Sequence, residues 1–115
     1  MIEGVVNAAY EAIVTLLLRG PTGEAREIEA VIDTGYSGFL TLPSALVAEM
    51  GLPLRGRGRA FLANGDEEGF DVHGVTILWD GRPRFIEADA MGPVPLAGMS
   101  LLDMHDLSIQ VRDGG

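Results

Sequence analysis

Residues 29–43 read EAVIDTGYSGFLTLP, and the role given to Asp33 decides the fold. An apolar run, Ala30-Val31-Ile32, delivers a carboxylate at Asp33, then Thr34 and Gly35, before a second apolar run begins. Taking a carboxylate out of water is costly unless it is paired or hydrogen-bonded. Two readings compete. In one, Asp33-Thr34-Gly35 is a hairpin turn, with Asp bonding its own backbone and Gly supplying positive φ. In the other, the acid stands in a floor between strands because a reaction needs it there.

The chain around this stretch has 115 residues, the length of a single domain spanning 1–115 and large enough for one core. Hydrophobic residues make up 47% and charged residues 22%, a soluble globular composition rather than a disordered one. A net charge of −9 argues against nucleic acid, whose phosphates need a basic face. The absence of cysteine excludes disulfides, thiolate catalysis and cysteine metal sites. Glu3 and the lack of a basic start do not read as a signal peptide, and the apolar run AIVTLLL at 12–18 is far below a membrane span. The expectation is a cytoplasmic protein with no membrane partner.

Gly and Pro, 16 and 6 in number, punctuate the chain at short intervals, which predicts many short strands and tight turns. Ala12 to Arg19 reads as a strand, 20–23 as a turn and Glu24 to Ile32 as the returning strand. AAYEAIVTLLL also fits an amphipathic helix, but its β-branched content and the Gly-Pro stop favour a strand. Ser44 to Met50 is the clearest helix: Pro43 sets φ at its start, Leu46, Val47 and Met50 share a face, and Gly51 with Pro53 ends it. Asn64-Gly65 and Asp80-Gly81 are hairpin signals, the second joining Val75–Trp79 to Arg84–Ala88. The segment PVPLAGMSLLDMHDLSIQV then reads as strand, glycine turn, short helix and last strand, with Ser100 and Asp103 spaced as a capping box.

Two of these segments belong together. VIDTG and PLAGMSLLDM each bring an apolar strand into a glycine turn, with a short helix some way beyond. The pairing resembles the retropepsins, the single-lobed aspartic proteases of retroviruses and their cellular relatives, and more narrowly the small bacterial and archaeal members of that clan. The matching pieces are Val31-Ile32-Asp33-Thr34-Gly35, Leu96-Ala97-Gly98, Leu101-Leu102 and Leu107 to Val111, with 65 residues from Asp33 to Gly98. Between them Asn64-Gly65 falls where the family carries a flap hairpin. The resemblance covers the chain beyond Tyr10 and implies an all-β fold: a single-lobed, closed acid-protease β barrel with one or two short helices.

It also implies chemistry. Each retropepsin subunit supplies one catalytic Asp, so a homodimer would be required, with an isologous interface. Two carboxylates about 3 Å apart cannot both ionise and share a proton; one activates a water while the other protonates the scissile carbonyl. The resemblance therefore implies Asp33, Thr34 and Gly35 as catalytic residues, with Thr34 bonding across the two-fold axis. It implies Ala63, Asn64, Gly65, Leu96, Ala97 and Gly98 as substrate-binding positions, and Leu62 and Val94 as further subsite walls. Apolar residues at such places are commonly plain core or flap packing. An extended peptide would be the substrate, with no cofactor and no metal. The first ten residues and Leu107 to Val111 would interleave at the dimer interface.

The chain departs from the family in two places. Tyr36 stands where retropepsins carry a small Ala or Ser; its ring either narrows the site or turns away and packs while Ser37 bonds the outer carboxylate oxygens. The hairpin tip, Asn64-Gly65-Asp66-Glu67-Glu68-Gly69, is acidic rather than glycine-rich, which disfavours acidic substrates. His73 and His105 are the only histidines, and DMHD at 103–106 places neighbours that share no helix face, an incomplete ligand set for a metal. No nucleophile elbow or phosphate loop is present. Arg55, Arg57 and Arg59 form a small basic patch that solvent, the acidic hairpin or a neighbouring subunit would absorb. The rival to an aspartic endopeptidase is a non-catalytic dimeric peptide-binding module on the same fold. An unrelated β barrel with a chance Asp-Thr-Gly turn would instead be a monomer.

Overall fold

The computed structural model describes residues 2–61 and 63–114. Eight strands and two short helices follow one another as β1 (Val5–Val6), β2 (Ala12–Arg19), β3 (Ala25–Ile32), β4 (Leu40–Leu42), α1 (Ser44–Met50), β5 (Leu54–Phe61), β6 (Glu67–Trp79), β7 (Arg82–Ala90), β8 (Leu96–Ala97) and α2 (Met99–Leu102). The strands hydrogen-bond in the order β1-β2-β3-β8-β4-β7-β6-β5, and β2 also pairs β6. That extra pairing, Leu17↔Leu78 to Arg19↔Thr76, closes six of the strands into a barrel and leaves β1 and β5 outside the ring. The fold is all-β, as expected.

Alternation on the strands fills the barrel. Val14, Leu16 and Leu18 of β2 point inward while Thr15 and Arg19 face solvent, the period of two that a half-buried strand requires. They meet Ala30, Leu40, Leu42, Val75, Ile77, Ile86, Ala88 and Ala97 from the other strands and Leu101 from α2. Val47 and Met50 of α1 close one end. Gly51, at φ +61, stops α1 in the left-handed conformation and returns its N–H to the last helical carbonyls. Asp80 and Gly81, both at positive φ, make the two-residue turn between β6 and β7 that such a dipeptide favours.

Two short parallel pairings position the site. Val31↔Leu96 and Ile32↔Ala97 join β3 to β8, and Leu40↔Ala88 to Leu42↔Ala90 join β4 to β7. The C-terminal segment differs from expectation. Residues 103–114 form no strand in the single chain, and Leu107, Ile109 and Val111 are exposed. The segment is tied back to β1 through the Gly114 N–H, which donates to Val6 O at 2.8 Å. The expected capping box is also absent: Gly98 occupies the N-cap of α2 without a side-chain bond, and the Ser100 hydroxyl donates to Ser37 O at 2.5 Å instead.

Candidate active site

β3 ends at Ile32, and the chain turns at once through Asp33. The Asp33 N–H donates to Ala97 O at 2.9 Å, extending the β3–β8 pairing by one bond and hanging the acid over the end of β8. The turn then closes locally. The Gly35 N–H donates to Asp33 Oδ1 at 2.9 Å, and the Tyr36 N–H to Asp33 O at 3.2 Å. The tripeptide is thus a turn in which Asp bonds its own backbone, but not the expected hairpin turn with glycine at positive φ. Gly35 does not take positive φ, and β3 and β4 do not pair with each other because β8 lies between them. A Cβ at position 35 would sit 3.3 Å from Asp33 Oδ1, so glycine gives the amide close access to the carboxylate. Asp33 is only half-buried, while Thr34 and Gly35 are exposed, so the single chain avoids the cost of a fully buried acid.

Asp33, Gly35 and Tyr36 line an open cleft of about 910 Å³. Thr41 and Leu96 carry its floor onward, Met91 to Val94 form one wall, and Arg57 and Glu68 to Asp71 of the β5–β6 hairpin form the other. Thr41, fully buried, accepts the Leu96 N–H at 2.9 Å on its hydroxyl and so locks β4 to β8 beneath the acid. The hairpin wall carries both signs of charge. Arg57 pairs Asp71 at 2.8 Å and Arg59 pairs Glu67 at 3.2 Å, all substantially solvated, while Arg55 lies 5.4 Å over the Phe85 ring. Two members of the arginine patch are thus absorbed by the acidic hairpin.

Of the positions expected to contact substrate, Leu96 lines the cleft with Asp33, while Ala97 and Gly98 are buried behind it. Ala63, Asn64 and Gly65 sit exposed at the hairpin tip, away from the cleft lining, where Asn64 Oδ1 accepts the Asp66 N–H at 2.9 Å. Val94 lines the cleft, and Leu62 lies outside the described residues. Neither histidine lines this cleft: His73 Nδ1 bonds Leu52 O and His105 Nδ1 bonds Asp103 O, each at 2.9 Å.

Tyr36 turns inward. Its hydroxyl donates to Asp89 Oδ2 at 2.5 Å and lies 3.4 Å from Leu40 O. Its ring lies against two glycines: a Cβ at Gly38 would come within 2.3 Å of the hydroxyl, and one at Gly98 within 2.5 Å of Cδ2. Burial, then the bond to Asp89 and its charge, push the phenol well above the ordinary tyrosine range. Burial also raises the Asp89 carboxyl, with Glu87 adding repulsion and the phenol bond opposing. Ser37 makes no side-chain bond to Asp33 among the described residues; its carbonyl serves Ser100. Asp89 was not legible as a site residue, because an acid at the outward position of the alternating run Ile86, Ala88 reads as solvated.

No protein-family model and no curated protein matches the sequence. Among solved structures, the chain is similar to EIAV protease complexed with the inhibitor HBY-793, with a TM-score of 0.64 at 18% identity, over 90% of this chain and 97% of that one. It is also similar to the protease of Simian Foamy Virus (mac), solved in solution, with a TM-score of 0.53 at 19% identity, over 76% and 90% of the two chains. Identity at this level speaks for architecture: the chain has the retropepsin-like fold of the retroviral aspartic proteases.

Proposed function

We propose that this chain is one half of an aspartic endopeptidase, a single domain over 1–115 that becomes active as a homodimer and cleaves an internal bond of an extended peptide. The observation that carries the reading is the outward-facing Asp33-Thr34-Gly35 turn on the floor of the open cleft, half-covered and holding one carboxylate. A second copy across a two-fold axis would bring a second Asp33 beside the first. The pair would hold one proton, with one acid drawing a proton from water as the other protonates the scissile carbonyl. Leu107, Ile109 and Val111, exposed on a segment without a strand partner, offer an apolar surface for that second copy. The hairpin of β5 and β6 forms one wall of the cleft, where a flap would stand, and its tip turns at Gly65 with φ +90.

The test is cleavage of a diverse peptide pool by wild type and Asp33→Asn from mildly acidic to neutral pH, with sedimentation of both. Cleavage by wild type alone supports the proposal. Equal cleavage by both, or a wild type that is monomeric and active, overturns it. Dimers of both forms that bind peptides without cutting favour the peptide-binding module instead, a reading to which Tyr36 on the cleft floor lends weight.

A further inference from the structure

The floor beside Asp33 is occupied by Tyr36. Strands β8, β4 and β7 run side by side, and register pairs Thr41 with Leu96 on one side and with Asp89 on the other. Directly paired residues share a face of the sheet, so Leu96, Thr41 and Asp89 form one row across the floor. Leu96 and Thr41 line the cleft, whereas Asp89 does not; Tyr36 does, with its hydroxyl on the Asp89 carboxylate. The phenol is a cover over the third member of the row.

That cover is fixed at both ends. The Tyr36 N–H is held by Asp33 O and its carbonyl by the Met99 N–H at 2.8 Å, so the backbone cannot drift from the acid turn. The ring rests in the space left by Gly38 and Gly98, and the hydroxyl is already committed to Asp89. We infer that Tyr36 determines the specificity of this cleft, admitting beside Asp33 only a small uncharged side chain of the peptide, while Asp89 beneath it is a concealed anchor for a basic one. The inference rests on the peptidase reading of the site. A bulky side chain would have to displace the ring and strand a half-buried carboxylate without its donor, a penalty that rejects it rather than merely failing to reward it. Burial that disfavours ionisation of both Tyr36 and Asp89 is consistent with a pair partly shielded from water at this point.

The experiment compares wild type, Tyr36→Ala and Tyr36→Ala/Asp89→Asn on peptides varied at the two residues flanking the cleaved bond. Wild type is expected to favour Gly, Ala and Ser over Leu, Phe and Lys at one of them. Tyr36→Ala should lose that preference and raise the relative kcat/KM for Lys and Arg peptides by at least about tenfold, the scale of a charged hydrogen bond. The double variant should keep the wider tolerance and lose the gain for Lys and Arg. It removes both partners of the bond, leaves no orphaned carboxylate, and decides the size preference should the single variant not fold. A folded, active variant with the wild-type profile overturns the inference, as does a folded double variant that cuts nothing, because Tyr36 would then be scaffold for the acid. A wild type that cuts no peptide removes the peptidase reading and this inference with it; failure of the inference alone leaves wild-type cleavage intact.

Discussion

Tyr36 and Asp89 lie 53 residues apart in the chain and meet in one short hydrogen bond, hydroxyl to Oδ2 at 2.5 Å. The distance is that of a hydroxyl bonded to a carboxylate, about twice as strong as a neutral pair. It ties the turn that carries Asp33 to a strand on the far side of β4 and β8.

Tyr36→Phe removes the donor and keeps the ring. Because it leaves Asp89 half-buried without a partner, it should destabilise the fold by about 1–3 kcal/mol in urea unfolding. Tyr36→Phe/Asp89→Asn should cost less than the sum of the two single changes, a coupling that a double-mutant cycle measures directly.

The same pair sets a pH dependence. Burial raises the folded Asp89 carboxyl above its ordinary value of 3.8. The folded state therefore holds this proton to higher pH than the unfolded chain does. Its contribution to stability is fullest below that ordinary value and is lost as pH rises through the folded pKa. Unfolding free energies of wild type and Asp89→Asn, compared across mildly acidic pH, should show the declining contribution in wild type only. Tyr36 acts likewise at the alkaline end: its stabilisation is present below pH 10.0 and lost as pH climbs beyond it. Tyrosinate absorbance should register Tyr36 only as the protein unfolds.

Gly98→Ala tests how closely the two halves of the site meet. The added Cβ would fall 2.2 Å from Gly38 O, a backbone atom, and 2.5 Å from the Tyr36 ring. Neither can retreat without breaking the bonds that hold α2 to the acid turn. A loss of at least about 2 kcal/mol is expected from such overpacking, read as a lower urea midpoint.

Leu107→Asp with Ile109→Asp addresses the exposed C-terminal segment. Both residues are 42% exposed in the single chain, so the isolated fold should change by no more than about 0.5 kcal/mol. Self-association should weaken by at least about tenfold in sedimentation, and peptide cleavage should fall in proportion to the dimer lost.

Local chemistry made much of this fold legible. The bounds of β2 and α1 follow from alternation, from Pro43 and from Gly51, and both hairpin turns follow from their dipeptides. The acid turn and its glycine-bearing partner segment were recognisable as a pair, and Leu96 does line the cleft with Asp33. What the sequence hid depends on register. β8 is two residues long and has a partner on each side, too short for any period to show. Leu107 to Val111 has the alternation of a strand, yet a strand needs a neighbour and the single chain provides none. Asp89 became part of the site only because β7 pairs β4 at Thr41, a long-range coincidence no local pattern encodes.

The backbone bond from Asp33 to Ala97 has a consequence in time. Contacts between distant parts of a chain form late, since the entropy of closing a long loop must be met before they reward it. The acid turn hangs on β8, and β8 in turn is held between β3 and β4. A ribosome-bound chain that has not yet released Leu96 to Gly98 therefore has Asp33 but no cleft around it. On the peptidase reading, the site is assembled only once synthesis has passed that point and the barrel has closed.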